Sequence, residues 1–135
     1  MEPVLFDTTV WIDYLKGVVR PQTDLLNQYI THDEPVFVCP TVVQEILQGI
    51  RSDEQFQQVR QSLLGFPCLL IPGLDAALAA AELYRDLRKK GITIRKANDC
   101  LIAAYALHFD MAVCHNDSDF SMLALHIGLK EKLYL

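Results

Sequence analysis

The sequence predicts an α/β domain built on a parallel sheet with helices on both faces. Three observations predict it. Short apolar runs, Val4–Phe6, Val36–Cys39, Cys68–Pro72 and Met111–Cys114, recur along the chain. Stretches with helical spacing of apolar residues separate them, the alternation expected of βαβ units. The runs are apolar throughout rather than every second residue, as in strands covered on both sides.

Each element has a local reason. Pro3 precedes the first run and Asp7 ends it. Thr8 and Thr9 are then N-cap candidates for a helix with Val10, Trp11, Tyr14 and Leu15 on its apolar side, stopped by Gly17. Pro21 opens a second helix carrying Leu25, Leu26, Tyr29 and Ile30. After the second run, Pro40–Thr41 starts a helix through Val42, Val43, Ile46 and Leu47 to Gly49. A Gln-rich helix follows from about Asp53 to Leu64, and then the third run. Asp75 begins a long Ala/Leu helix that ends in a basic cluster and Gly91. Lys96 to His108 is the most apolar helix. After the fourth run, Asp119–His126 reads as a short helix and Lys132–Leu135 as a final edge strand.

At 135 residues the chain is expected to form one domain, without linker, repeat or low-complexity segment. Apolar residues make up 51% and charged residues 21%, an ordinary globular balance. No apolar run approaches the roughly 18–20 residues of a membrane span. The N-terminus MEPVLFD lacks the basic region of a signal peptide. Cys39, Cys68, Cys100 and Cys114 lie far apart in apolar surroundings, which favours small buried hydrophobes in a reducing cytoplasm over a zinc site or disulfides. The net charge of −5 argues against simple capture of nucleic acid. Yet Arg85, Arg88, Lys89, Lys90, Arg95 and Lys96 fall in one segment, either a solvated helix end or a phosphate-contacting patch.

Ligands of an open parallel sheet bind beyond the carboxyl ends of its strands. Asp7 stands at that end of the first strand, and Asp117 and Asp119 just past that end of the fourth. Glu45, within VVQEIL, and Asp99, opening NDCLIAAYAL, sit in apolar contexts unsuited to a solvated charge. Each acid alone has a plainer reading as a helix cap, a dipole partner or part of an exposed stripe. Together, four segments bring acids to one predicted edge. Clustered carboxylates raise one another's pKa unless a cation neutralises them. An all-oxygen set points to Mg²⁺ or Mn²⁺. The four histidines show no zinc-ligand spacing, and His115, beside the cleft, is more readily structural or an indirect support. There is no GxxxxGK[ST] loop and no GxGxxG after a strand. A metal-dependent phosphodiester hydrolase needs neither.

DTTVWIDYLKG (7–17), VVQEILQGI (42–50), NDCLIAAYAL (98–107) and HNDSDF (115–120) together resemble the PIN-domain superfamily, and within it the VapC-type toxins of bacterial toxin–antitoxin pairs. The resemblance implies a three-layer α/β/α sandwich with a central, mainly parallel sheet. It implies a Mg²⁺- or Mn²⁺-dependent endoribonuclease toxin that cuts structured RNA such as tRNA or rRNA. Asp7, Glu45, Asp99 and Asp117 match the family's metal-site acids, with Asp119 close enough to share the fourth place or to cap the last helix. Thr9 matches a hydroxyl that orients the first acid or its water, and Asn116 is a possible assistant. Arg95, Lys96 and Arg88 are the candidates for RNA phosphates. The resemblance also implies a homodimer and a small antitoxin seated in a groove. Trp11, Tyr14, Leu15 and Tyr29 are candidates for that groove, although each is more readily a core residue.

Three other readings remain. A receiver-type phosphorylation domain also has an acidic pocket, but it needs paired acids at the first strand and a lysine after a late one; here Thr8–Thr9 follow Asp7, and no lysine directly follows Met111–Cys114. A PIN-fold nuclease of RNA processing would need no antitoxin. A catalytically silent binding module would not need all of the acids.

Overall fold

The computed structural model describes residues 1–132. Their order is β1 (Val4–Phe6), α1 (Thr8–Leu15), α2 (Pro21–Thr31), β2 (Val36–Phe37), α3 (Pro40–Gln48), α4 (Asp53–Leu63), α5 (Gly73–Lys89), α6 (Ala97–His108), β3 (Ala112–Cys114) and α7 (Ser118–Ile127). The described strands form one parallel sheet in the order β2-β1-β3, within a three-layer α/β/α sandwich. Val4 lies opposite both Val36 and Ala112, and Phe6 opposite Cys114. The central strand β1 has no polar side chain, and none of its three residues reaches solvent. A strand covered on both faces loses all the water around its side chains, so only apolar residues are stable there.

The third apolar run does not become a strand. Cys68 makes one parallel bridge to Val38, and Leu69 N–H donates to Val38 O at 2.8 Å. Pairing stops there. Leu70 is 69% exposed and Pro72 has no N–H to donate. Cys68 is therefore exposed, unlike the other three cysteines and contrary to expectation. At the opposite edge Glu131 bridges Val113, in parallel. The edge strand expected at Lys132–Leu135 lies, from residue 133 on, outside the described residues.

Helix ends follow their local chemistry. Gly17 and Gly91, with φ of +74° and +81°, take up the left-handed backbone just past α1 and α5. The cap of α1 is Asp7, rather than Thr8 or Thr9. The last helix begins at Ser118 with Asp117 as its cap, so Asp119 is a first-turn residue and not the cap. Helix α6 is apolar on nearly every side and is buried against α3, α5 and β3. Phe6 meets Tyr29 edge-on at 5.5 Å, and Trp11 meets Phe66 at 5.3 Å. Tyr29 and Trp11 are thus core residues, and Tyr29 drops out of the groove. Tyr14 is half-buried and Leu15 is 38% exposed.

Candidate metal centre

Strand pairing assembles the site. Asp7 N–H donates to Cys114 O at 2.9 Å, which fixes the start of α1 against the end of β3. Asp7 and residues 115–117 therefore leave the sheet at one edge, on opposite sides of the β1/β3 seam. The chain departs from β1 toward β2 on one side and reaches β3 on the other, so this seam is the switch point at which parallel sheets bind ligands.

Asp7 is 2% exposed. Its Oδ2 accepts from Thr9 N–H at 3.2 Å and from Thr9 Oγ1 at 2.7 Å. Burial raises its pKa above the ordinary carboxylate value, although the Thr9 and Thr8 bonds partly offset that rise. Glu45 comes from the middle of α3. Its Oε1 accepts from Thr8 Oγ1 at 2.7 Å, so consecutive threonines engage the two acids.

Asp99 occupies the first turn of α6. A helix without a polar face cannot turn this carboxylate to water, and it is 4% exposed. Its Oδ2 is buried and has no hydrogen-bond partner among the described residues. Burial first, then repulsion from Asp7, push the group up to about 7; Lys96 opposes this, while Asp117 and Glu45 add to it.

Asp117 and Asp119 complete the set from the start of α7. Asp117 Oδ1 accepts the Asp119 N–H at 2.9 Å, and its Oδ2 accepts from Lys96 Nζ at 3.1 Å. Burial pushes Asp117 up, but the Asp119 N–H, Lys96 and Arg95 outweigh it and hold the carboxyl below its usual value. Asp119 Oδ2 and Oδ1 accept from Arg95 Nε and Nη2 at 3.1 and 3.4 Å. One carboxylate oxygen from each of Asp99, Asp117 and Asp119 lies within 4.8 Å of the other two. Asp7 and Glu45 stand outside that trio, yet both raise the pKa of Asp99. The N-termini of α1, α6 and α7 meet here, and their partial positive charge favours the anions without cancelling them.

The remaining candidates divide. Arg95 and Lys96 reach the site, as partners of its acids. Asn116 is directed toward the α1–α2 region, where its Nδ2 donates to Asp13 Oδ2 at 3.3 Å and Gln22 Nε2 approaches its Oδ1 at 3.5 Å. Arg88 lies over the Tyr84 ring at 5.9 Å on α5, and no contact with the carboxylates is found among the described residues.

Sequence reasoning missed Thr8 as the partner of Glu45. Only its place directly after Asp7 hinted at it. His115 also has a definite task. Its Nδ1 accepts the Asp117 N–H at 3.2 Å, so Nε2 carries the proton and donates to Glu131 Oε2. The ring stacks on Phe120 at 5.4 Å. His115 thus fixes the turn that presents Asp117, by way of a partner that no local pattern links to it.

An orphaned buried carboxylate oxygen, a pKa near neutrality and like charges in close array fit a hard divalent cation. The ligand-competent trio offers only oxygen, which suits Mg²⁺ or Mn²⁺ better than zinc.

Comparison with known proteins agrees with this architecture. The PIN-domain family model matches residues 4–125. The VapC ribonuclease Mb1587 of Mycobacterium bovis is 30% identical over 122 residues, 90% of this chain and 91% of that protein. Ribonuclease VapC11 of Mycobacterium tuberculosis matches to the same extent. Among solved structures, a chain of VapBC2 from Rickettsia felis, bound to a DNA fragment from their promoter, superposes with a TM-score of 0.75 at 17% identity, covering 98% of both chains. Structural likeness at that identity shows the fold alone.

Proposed function

The chain belongs to the PIN-domain family, in its VapC-type toxin branch, and from that membership we propose that it is a Mg²⁺- or Mn²⁺-dependent endoribonuclease. As the toxin of a toxin–antitoxin pair, it hydrolyses phosphodiester bonds of structured RNA such as tRNA or rRNA. The observation that carries this reading is the buried, unpartnered Asp99 Oδ2 beside Asp117 and Asp119.

Asp99, Asp117 and Asp119 would hold the ion, with Asp7 and Glu45 adding negative charge behind them. When bound, a divalent ion there supplies Lewis-acid polarisation of a phosphate and a water of lowered pKa. The chain's own residues fix the array. Thr9 restrains Asp7, and Thr8 restrains Glu45. His115 holds the backbone of Asp117 through its Nδ1. The apolar body of α6 keeps water from solvating Asp99, so an ion would meet no competing hydrogen bond at its Oδ2. Arg95 and Lys96 set positive charge at the rim, where an RNA backbone would approach.

The partners follow from the same reading. A small antitoxin inhibits the toxin in the cytoplasm, and the toxin forms a homodimer. No described helix is long and apolar enough to cross a membrane. A cavity of about 510 Å³ opens between α1 and α3, lined by Ile12, Leu15, Ile46 and Ile50. Leu15 also borders a neighbouring hollow with Trp11, Val59 and Phe66. This mainly apolar surface, which also includes Lys16, Arg51 and Gln55, suits an antitoxin segment better than the buried Tyr29 does.

The test is cleavage of total bacterial RNA by purified protein in Mg²⁺, in Mn²⁺ and in EDTA, beside Asp7→Asn. Discrete fragments that require metal and vanish in the variant are expected. A folded, antitoxin-free wild type that cuts nothing in either metal would overturn the nuclease reading and leave a binding module.

A further inference from the structure

We infer that Arg95 and Lys96 are substrate-phosphate residues held back by Asp119 and Asp117, and that a divalent cation in the cluster releases them to the RNA. Binding of metal and of RNA backbone is then positively coupled through these two side chains. This inference rests on the metal-site reading above.

Asp117 Oδ1 is engaged by the Asp119 N–H as the cap of α7, so Oδ2 is the oxygen left for a cation, and Lys96 sits on it. Both oxygens of Asp119 accept from Arg95. The same two carboxylates supply two of the three ligand-competent positions beside the unpartnered Asp99 Oδ2. A metal ion and the two side chains therefore compete for the same atoms. The side-chain cations are the weaker claimants. The Lys96 and Arg95 side chains are 54% and 74% exposed. Exposed ion pairs contribute little to stability, and solvent readily takes back their charged ends.

Release also leaves them well placed. Both follow Ile94, which is 4% exposed and anchors the segment. Lys96 is the N-cap of α6, so its backbone is held while the side chain pivots. A long flexible stem lets the charged head move several ångströms without disturbing the fold. Freed from carboxylates, an ammonium and a guanidinium at the rim of the cleft become partners for phosphate oxygens, the guanidinium by a two-point contact. Without metal, the same residues keep the acids neutralised and the surface poor at holding RNA.

The experiment titrates Mn²⁺ alone into wild type, Arg95→Gln/Lys96→Gln and the control Lys89→Gln, following free Mn²⁺ by electron paramagnetic resonance. It then measures binding of a fluorescein-labelled phosphorothioate RNA oligonucleotide by anisotropy, with and without Mn²⁺, checking that the oligonucleotide stays intact. The double variant is expected to bind Mn²⁺ at least about fivefold more tightly than wild type, because nothing has to be displaced, and Lys89→Gln to match wild type. By reciprocity, Mn²⁺ should tighten RNA binding to wild type at least about fivefold, and this gain should shrink to less than about twofold in the double variant. Unchanged or weaker Mn²⁺ binding by the double variant overturns the inference, as does RNA affinity that ignores Mn²⁺ in wild type. Either result leaves the metal centre standing if wild type binds Mn²⁺. If wild type binds no Mn²⁺, the metal-site reading falls and the inference falls with it.

Discussion

Replacing Asp99 by Asn should make the metal-free protein more stable at neutral and alkaline pH. The Asp99 carboxyl is buried beside Asp7 and Asp117 and is pushed from 3.8 to about 7. Its folded-state pKa therefore lies above its unfolded one. The associated stability is fully present below the unfolded value and is lost as pH rises through the folded value, a window from about pH 4 to 7. Above that window wild type must carry an unpaired buried charge. A shift of this size corresponds to about 2–4 kcal/mol, once partial relaxation of the site is allowed for. An amide ends the repulsion, and its N–H finds carboxylate acceptors. At roughly 0.3 kcal/mol per kelvin of unfolding entropy for a chain of this length, Asp99→Asn should raise Tm by about 7–14 °C at about pH 8. The difference should fade toward zero near pH 4. Mg²⁺ or Mn²⁺ at roughly a hundred times its Kd should add about 2.7 kcal/mol to wild type and little to the variant. Thermal unfolding in EDTA and in metal, at several pH values, reads all of this. A variant less stable than wild type in EDTA at about pH 8, or a pH-independent difference, would show that Asp99 carries no such buried charge.

Further outcomes can be checked. Asp7→Asn should lower RNA cleavage at least about a hundredfold while circular dichroism stays that of wild type, because the amide can still accept from Thr9 and cap α1. Thr8→Val removes the hydroxyl that holds Glu45, and should cost about 1 kcal/mol of stability in a denaturant titration and several-fold in cleavage rate. His115→Phe keeps the stack on Phe120 but strands the Asp117 N–H, and should cost about 1–3 kcal/mol in the same titration. Leu15→Asp should weaken antitoxin capture in a pull-down while leaving RNA cleavage intact, because Leu15 lines the groove and not the carboxylate site.

The parts of the fold legible in the sequence were those where burial is one-sided in its demands. Val4–Phe6 reads as a covered strand, and the Cys100–Leu107 run, apolar throughout, reads as the body of a buried helix. The same logic exposed Asp99, since a charge in that helix has no route to solvent. The third run misled because five apolar residues satisfy a strand pattern whether or not they find a partner; Pro72 and the exposed Leu70 end the pairing after Cys68. Thr8 and His115 were hard to read for another reason. Each acts through a distant partner, Glu45 or Glu131, that only the folded chain supplies. In the sequence Arg95 and Lys96 are only positive charge close to an acid. Sequence spacing could not show that they already sit on Asp119 and Asp117.

The most direct test of the central claim is an anomalous difference map from crystals of the antitoxin-free protein soaked in Mn²⁺. A peak bonded to Asp99 Oδ2 is expected, at the roughly 2.1 Å of a hard divalent ion, with Asp117 or Asp119 sharing it and the Lys96 and Arg95 side chains turned away. A cleft without a peak at saturating Mn²⁺, or a peak that leaves Asp99 unligated, would contradict it.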